Sequence, residues 1–311
     1  LNLKNNRSLT GFQLFDTLRR PFEPQKLRAS ARQISPWPGA CLVAMALFLP
    51  RFVDADELSR YEASQRAMGS LFTIVLYAPD DATARSGFVD AFGRIKALDQ
   101  ALNDYDPQSE LSQLSASSPH AKPIPVSDDL WQLMQLSAKY YRLSDGAFDV
   151  TVGPLTTLWR NARRQKQLPA EEDLKAALDA VGFQHVQFAT GDEQAIALGR
   201  DNMRIDLGGI AKGFAVDEAL AALRKHNINS ALVNGGGDIA ASDAPPGRDG
   251  WKIGVAPLAQ DAKPSRFLLI KNQAIATSGD TWQFVEIDGV RYSHIVSPTP
   301  GLGLTARRSV T

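Results

Sequence analysis

The stretch DLGGIAKGFAVDEA, from Asp206 to Ala219, is the part of the chain around which the rest is organised. A strand-like run, Met203 to Leu207, meets a turn at Gly208 and Gly209 and passes into a helix-patterned segment that opens with Lys212 and Gly213. Such a junction suits an anion, because a helix N-terminus carries unpaired N–H groups and partial positive charge, and paired glycines let a phosphate come close. Local physics leaves an ordinary strand-to-helix connection equally open. The spacing matches neither the dinucleotide fingerprint nor a P-loop.

Working outward, the residues before this stretch read mainly as helices and those after it mainly as strands. LFTIVLYA (Leu71 to Ala78) predicts a buried strand, and Asp80 or Asp81 caps a helix whose apolar positions are Phe88, Phe92, Ile95, Leu98 and Leu102. NDYDPQSELSQLS reads as a loop, Ser127 starts a second helix that stops at Asp145-Gly146, and a basic loop follows Trp159. Pro169 precedes a short helix closed by Gly182, and FQHVQFA reads as a strand. Beyond Ala219, strands are expected at Ala231 to Val233, Trp251 to Val255 and Phe267 to Ile270. FVEI-DG-VRYSHIV has the pattern of a hairpin with a type I′ turn at Asp288-Gly289. Without regular βαβ alternation, the fold class is α+β.

The chain has 311 residues, 44% hydrophobic and 22% charged, enough for a sizeable core and incompatible with a disordered protein. Its 34 basic and 34 acidic residues balance, so no nucleic-acid partner is expected and any anionic ligand must be held by local groups. One cysteine, Cys41, excludes an internal disulfide framework and a cysteine-rich metal site.

Residues 1–55 form an N-terminal extension. Within it GACLVAMALFL (Gly39 to Leu49) has the length of a signal-peptide core, with cleavage expected after Val53-Asp54-Ala55, a mature start near Asp56, and an exported protein.

Of the four histidines, His120, His185 and His226 read as structural, whereas His294 leads HIVSPTPG at a strand end, where functional side chains are commonly displayed. The Gly-rich turns VNGGGDI (Val233 to Ile239) and ATSGD (Ala276 to Asp280) suit a ligand, a hard cation or a plain hairpin.

Seven pieces in order, AMGS (Ala67 to Ser70), NDYDPQSELSQLS, DGAFDVTVGPLTTLW, IDLGGIAKGFAVDEA, ALVNGGGDIA, ATSGD and YSHIVSPTPG, resemble the ApbE family, the FAD:protein FMN transferases. The resemblance runs from Met68 onward and implies a T-fold-related arrangement of mixed helices and antiparallel sheets over residues 56–311. It implies cleavage of FAD at its diphosphate, transfer of FMN through a phosphoester to a threonine of an acceptor flavoprotein such as a membrane redox subunit, Mg²⁺ dependence and release of AMP. An FAD-binding protein or FAD pyrophosphatase without transfer, and an inactive truncated homologue, are the alternatives.

By resemblance, Met68, Tyr105, Ala147, Phe148, Asp149, Gly208 and Phe214 line the FAD site. Ala211 offers its carbonyl to Mg²⁺, and His294 is the general base or a flavin contact. Asp206, Asn234, Asp238 and Asp280 match family positions, with turn roles at least as well supported. The compartment implied is the periplasm, with association with the inner membrane left open. The family reads Asp where this chain has Ser297, and it continues past this chain's last residue, Thr311, to a stretch that supplies further metal ligands, so the domain is expected to be incomplete at its C-terminus.

Overall fold

The computed structural model describes residues 58–255, 263–281 and 283–311. The expectations for residues 1–55, the signal peptide included, lie outside the described residues.

Strands β1 (Ser59–Ala67) and β2 (Ser70–Ala78) form a hairpin that turns at Met68 and Gly69, with φ of 48° and 67°. The apolar run in β2 does not alternate because both of its faces are covered. Phe72, Ile74 and Leu76 enter the main core, while Val75 packs on the other side with Trp251 and Ile270.

Helix α1 (Asp81–Leu102) starts where Asp80 Oδ1 accepts from Thr83 N–H at 2.7 Å, and it buries Ile95, Leu98 and Leu102. The segment expected to be wholly loop contains a helix, α2 (Glu110–Ala116). Ser109 Oγ caps it by accepting from Ser112 N–H at 3.0 Å, and Leu111 and Leu114, one turn apart, are buried. A short helix escapes periodicity arguments because it offers only two core positions.

After β3 (Ile124–Pro125), helix α3 (Asp128–Leu143) is capped by Ser127 as expected and gives way to Asp145 and Gly146 at φ 50° and 80°. The expected basic loop belongs to α4 (Gly153–Gln165), which has Pro154 in its first turn and buries Leu155, Trp159 and Ala162. Its arginines lie on the faces left over.

Helix α5 (Glu171–Asp179) ends before Gly182. A 3-10 turn at Phe183–His185 then replaces the start of the expected strand and carries His185, so that only β4 (Val186–Phe188) is extended. Strand β5 (Ala195–Leu198) pairs with β3 and β4. The run Met203 to Leu207 is not a strand. It lies beside residues 150–153, with Asp206 N–H on Val150 O and Gly153 N–H on Arg204 O, and makes a single parallel bridge before α6 (Ala211–Arg224).

The later half supplies β6 (Ala231–Gly235), β7 (Asp238–Ala241), β8 (Trp251–Gly254), β9 (Phe267–Ile270), β10 (Gln273–Ile275), β11 (Ser278–Gly279), β12 (Phe284–Ile287), β13 (Val290–Ser293) and β14 (Ser309–Val310). The hairpin β12–β13 turns at Asp288 and Gly289 with φ of 50° and 76°, as its sequence demands.

The central antiparallel sheet has the order β1-β2-β6-β7-β10, and β11–β14, β12–β13 and β8–β9 are separate pairs. Helices α1 and α6 pack together over one face of the central sheet, and Trp251 and Ile270 of β8–β9 cover the other. Arg94 of α1 ties the helical layer by donating to Asp129 of α3 at 2.6 Å and to Glu218 of α6 at 2.8 Å. This α+β architecture leaves the N-terminus of α6 beside the β1–β2 and β6–β7 turns.

Candidate active site

The start of α6 is the hub. Its N-cap, Ile210, makes no side-chain cap, and Ala211 N–H donates to Leu207 O at 2.8 Å, so the Lys212 and Gly213 N–H groups are the ones left to water or an anion. Lys212, in that turn, pairs with Asp238 at 3.3 Å. The β6–β7 turn comes close enough that a Cβ on Gly236, whose φ is 70°, would sit 2.6 Å from Ser70 Oγ and 4.0 Å from Lys212 Nζ. Asn234 Oδ1 accepts from Gly237 N–H at 2.9 Å and shapes the same turn. Half-buried Met68 sits at the tip of the β1–β2 hairpin that delivers Ser70.

The Gly208-Gly209 turn is fixed by Asp206. Its Oδ1 accepts from Gly208 N–H at 2.8 Å, and its Oδ2 accepts from Thr156 Oγ1 at 2.7 Å and from Arg160 at 2.9 Å. Arg160 also binds Asp104, and its guanidinium lies 4.1 Å from the centre of the Tyr105 ring, so Tyr105 is tied to the turn although it is largely exposed. Burial raises the Asp104 carboxyl above its usual range, and the charge of Asp206 adds to this; Arg160 opposes both.

Two adjoining cavities, of about 330 Å³ and 230 Å³, share Tyr140, Gly209 and Ile210. Phe148 lines the first, and Phe214, Gly213, Asp217, Asp238 and Ala276 line the second. Gly209 is small because a Cβ there would meet Phe148 Cε2 at 3.3 Å. Tyr140 packs edge-on against Phe148, their ring centres 6.2 Å apart. The result is an aromatic cleft alongside a cationic helix start, suited to a flat ring joined to phosphate.

Phe148 is positioned by its N–H on Ser144 Oγ at 2.9 Å, next to exposed Ala147. Asp149 is committed to the fold. Its Oδ1 accepts from Thr151 N–H at 2.8 Å and Thr151 Oγ1 at 2.7 Å, and its Oδ2 from Phe183 N–H at 3.1 Å. The carboxylate therefore shapes the turn that presents Phe148.

His294 follows β13. Its main-chain N–H and its Nδ1 both meet the Gln283 carbonyl, at 3.0 Å and 3.1 Å. Since a carbonyl only accepts, Nδ1 carries the proton and Nε2 keeps its lone pair. Burial lowers the imidazole pKa below its ordinary value, and the positive charges of Arg163 and Lys212 lower it further, against the Gln283 hydrogen bond and Asp280. The imidazole of His294 is therefore held toward its uncharged form. The loop after it is anchored where Trp159 Nε1–H donates to Gly301 O at 2.8 Å, and Ser297 Oγ donates to Thr299 O at 2.6 Å.

Two of the other histidines are held by contacts within the fold. His120 Nδ1 accepts from Leu198 N–H at 3.0 Å, and His226 Nε2 lies 2.7 Å from Asp90. Tyr140, Arg160 and Gln283 were not singled out by sequence reasoning. Helical spacing from Leu136 to Tyr140 points to the first, but no local signal marks the others.

Among the described residues no group of three or more His, Cys, Asp or Glu side chains could hold a metal. Ala211 contributes one buried residue's carbonyl at the helix start, so these residues do not form a protein cage for Mg²⁺.

The ApbE family model matches residues 68–311. The FAD:protein FMN transferase of Klebsiella pneumoniae is 31% identical over 248 residues, covering 78% of this chain and 74% of that protein. The FAD:protein FMN transferase of Treponema pallidum is 29% identical over 255 residues, covering 78% and 70%. Among solved structures, the ApbE protein of Thermotoga maritima matches with a TM-score of 0.72 at 28% identity, covering 81% of this chain and 80% of that one. The flavin transferase ApbE from Vibrio cholerae matches with a TM-score of 0.72 at 28% identity, covering 81% of each. With the family model spanning most of the chain and the architecture shared, the chain belongs to the ApbE family.

Proposed function

We propose that this protein is an FAD:protein FMN transferase that joins FMN to a threonine of an acceptor flavoprotein and releases AMP. The observation that carries the reading is the fixed tautomer of His294, which leaves Nε2 as a base in the same electrostatic neighbourhood as Lys212. Family membership and the aromatic cleft support it.

In this reading a flavin or adenine ring lies against Phe148, Phe214 and Tyr140, with Tyr105 offering a further stacking face and Met68 and Ala147 closing the ends. The diphosphate faces Lys212 and the first turn of α6. Nε2 of His294 takes the proton of the threonine hydroxyl as its oxygen attacks the FMN phosphorus; the bond from that phosphorus to the AMP oxygen breaks, and AMP leaves with the electron pair. Gly208 and Gly209 keep the approach open. The Ala211 carbonyl is the one contact this chain would offer Mg²⁺, and the ion would there supply neutralisation of diphosphate charge.

Timed measurement of AMP from FAD tests the reading. AMP that appears only with a threonine acceptor supports transfer. AMP that appears equally without acceptor identifies a pyrophosphatase, and intact FAD in both arms contradicts catalysis.

Export to the periplasm belongs to the same proposal and is supported by the apolar run at 39–49. Terminal sequencing of the secreted protein is expected to start near Asp56, and retention of residues 1–50 contradicts it. The acceptor is then another exported flavoprotein, such as a membrane redox subunit.

A further inference from the structure

The segment between β11 and β12 and the hairpin that follows hold an ion pair that the reaction above does not use. Asp280 is 3% exposed. Its Oδ2 accepts from Arg291 Nε at 2.7 Å, and its main-chain oxygen accepts from the other arm of the same guanidinium at 2.6 Å. Arg291 lies on β13, opposite Glu286, and its guanidinium covers the Phe284 ring at 3.3 Å from the ring centre. One side chain therefore grips the residue just after β11 through two oxygens and the first residue of β12 through its aromatic face. Gln283, whose carbonyl receives both His294 bonds, lies between those two anchors.

We propose that the Asp280–Arg291 pair is the positioning element for His294, holding the Gln283 carbonyl where it fixes the imidazole in its Nδ1–H form. The proposal rests on the transferase reading for the use made of Nε2, but the geometry it describes exists in the free protein.

The physical case is one of rigidity. Gln283 is exposed and lies outside any strand, so its carbonyl direction is set by what anchors its neighbours. A two-pronged guanidinium contact restrains direction as well as distance, which a lysine at the same place would not do. The second carboxylate oxygen, Asp280 Oδ1, is buried and finds no hydrogen-bond partner among the described residues. A carboxylate kept in that state depends on its cationic partner among the described residues, so loss of Arg291 leaves a buried charge that must move or take up a proton. Either response displaces the segment that carries Gln283. The charges that face His294 are Arg163 from α4, Lys212 from α6, itself paired with Asp238, and Asp280. Asp280 is the one of these charges that favours the imidazolium, so its carboxylate tempers the two cations.

The test is nitrogen-detected NMR of His294 in the free, full-length protein as wild type, Arg291→Met and Arg291→Lys, together with FAD turnover. The expected wild-type signature is a single Nδ1–H tautomer. In Arg291→Met it becomes a mixture of both tautomers, kcat falls about 10- to 100-fold, and KM for FAD changes less than about threefold. Arg291→Lys, which keeps charge but not the fork, restores less than half of the tautomer preference. Should Arg291→Met fail to fold by circular dichroism, the lysine variant decides alone by the same signature. A pure Nδ1–H tautomer in folded Arg291→Met overturns the proposal whatever the kcat, as does an unchanged kcat in that variant where His294→Ala lowers it. If the tautomer shifts as expected but wild type and His294→Ala turn over FAD equally, the positioning stands and the transferase role of His294 fails.

Discussion

The Gln283 carbonyl oxygen lies 3.1 Å from His294 Nδ1, and this contact decides which imidazole nitrogen is available for chemistry. With Nδ1 protonated and the ring neutral, Nε2 accepts a proton. His294→Ala is expected to lower kcat about 100- to 1000-fold, the range for loss of a general base, with a smaller change in KM for FAD. Activity of the wild type should rise with pH through a midpoint below that of an ordinary histidine and then stay level, because burial and the charges of Arg163 and Lys212 disfavour the imidazolium. The same shift acts on stability. The folded state binds this proton less readily than the unfolded chain, so its contribution is complete above the unfolded value and is lost as pH falls through the folded one. A pH–rate profile that follows an unshifted or raised midpoint contradicts the assignment.

Asp149 separates a structural carboxylate from a ligand contact. Its three accepted hydrogen bonds hold the turn after Phe148 to the start of the 3-10 segment at Phe183. Asp149→Ala is expected to cost about 3 kcal/mol, since it leaves several N–H and O–H donors unsatisfied in a buried place. Chemical denaturation measures this. A variant as stable as the parent, with FAD binding abolished, would show instead that the carboxylate serves the ligand.

Gly209 keeps the two cavities joined. The side chain of Gly209→Val points toward Phe148, where even a Cβ would lie at 3.3 Å. The expected outcome is at least a tenfold rise in the FAD dissociation constant, followed by flavin fluorescence, because the ring wall and the helix start are no longer both reachable. Unchanged binding would place the flavin elsewhere.

Arg160 holds two carboxylates and one aromatic ring. Arg160→Met leaves Asp104 and Asp206 facing each other, at a cost of about 2–3 kcal/mol once partial exposure is allowed for. Asp104 already holds its proton more tightly than usual, through burial first and the charge of Asp206 second. The stability deficit of the variant should therefore be largest near pH 7 and shrink in acid as Asp104 becomes neutral, which melts at several pH values will show. A deficit independent of pH contradicts this electrostatic account.

These residues also show what the sequence makes legible. The caps at Asp80 and Ser127 and the Asp288-Gly289 turn are encoded within a few positions, and each appears where the local rule puts it. The α+β order follows from where apolar patterns change period. The basic stretch after Trp159 reads as a loop, yet it continues α4, because its arginines hide an apolar face of only a few residues that is completed by Val285 and Ile287 from more than 100 positions away. The run Met203 to Leu207 looks like a strand because its buried apolar residues Met203, Ile205 and Leu207 alternate with polar ones, yet its hydrogen bonds go to residues 150–153, Ser115 and Ser118, which no local pattern predicts. At the site, Phe148, Gly208 and Phe214 stand in motifs that can be recognised in the chain. The contacts that tie the site together, Arg160 on Asp206 and Tyr105 and Gln283 on His294, join residues 11 to 55 positions apart and exist only in the fold.

The most direct measurement is mass spectrometry of a panel of threonine-containing acceptor peptides incubated with FAD, Mg²⁺ and the full chain, beside the His294→Ala variant. FMN on a threonine oxygen with an equal amount of AMP, lost or strongly reduced in the variant, is the predicted result. Unmodified peptides with FAD intact, or labelling at the same rate in both proteins, would contradict it.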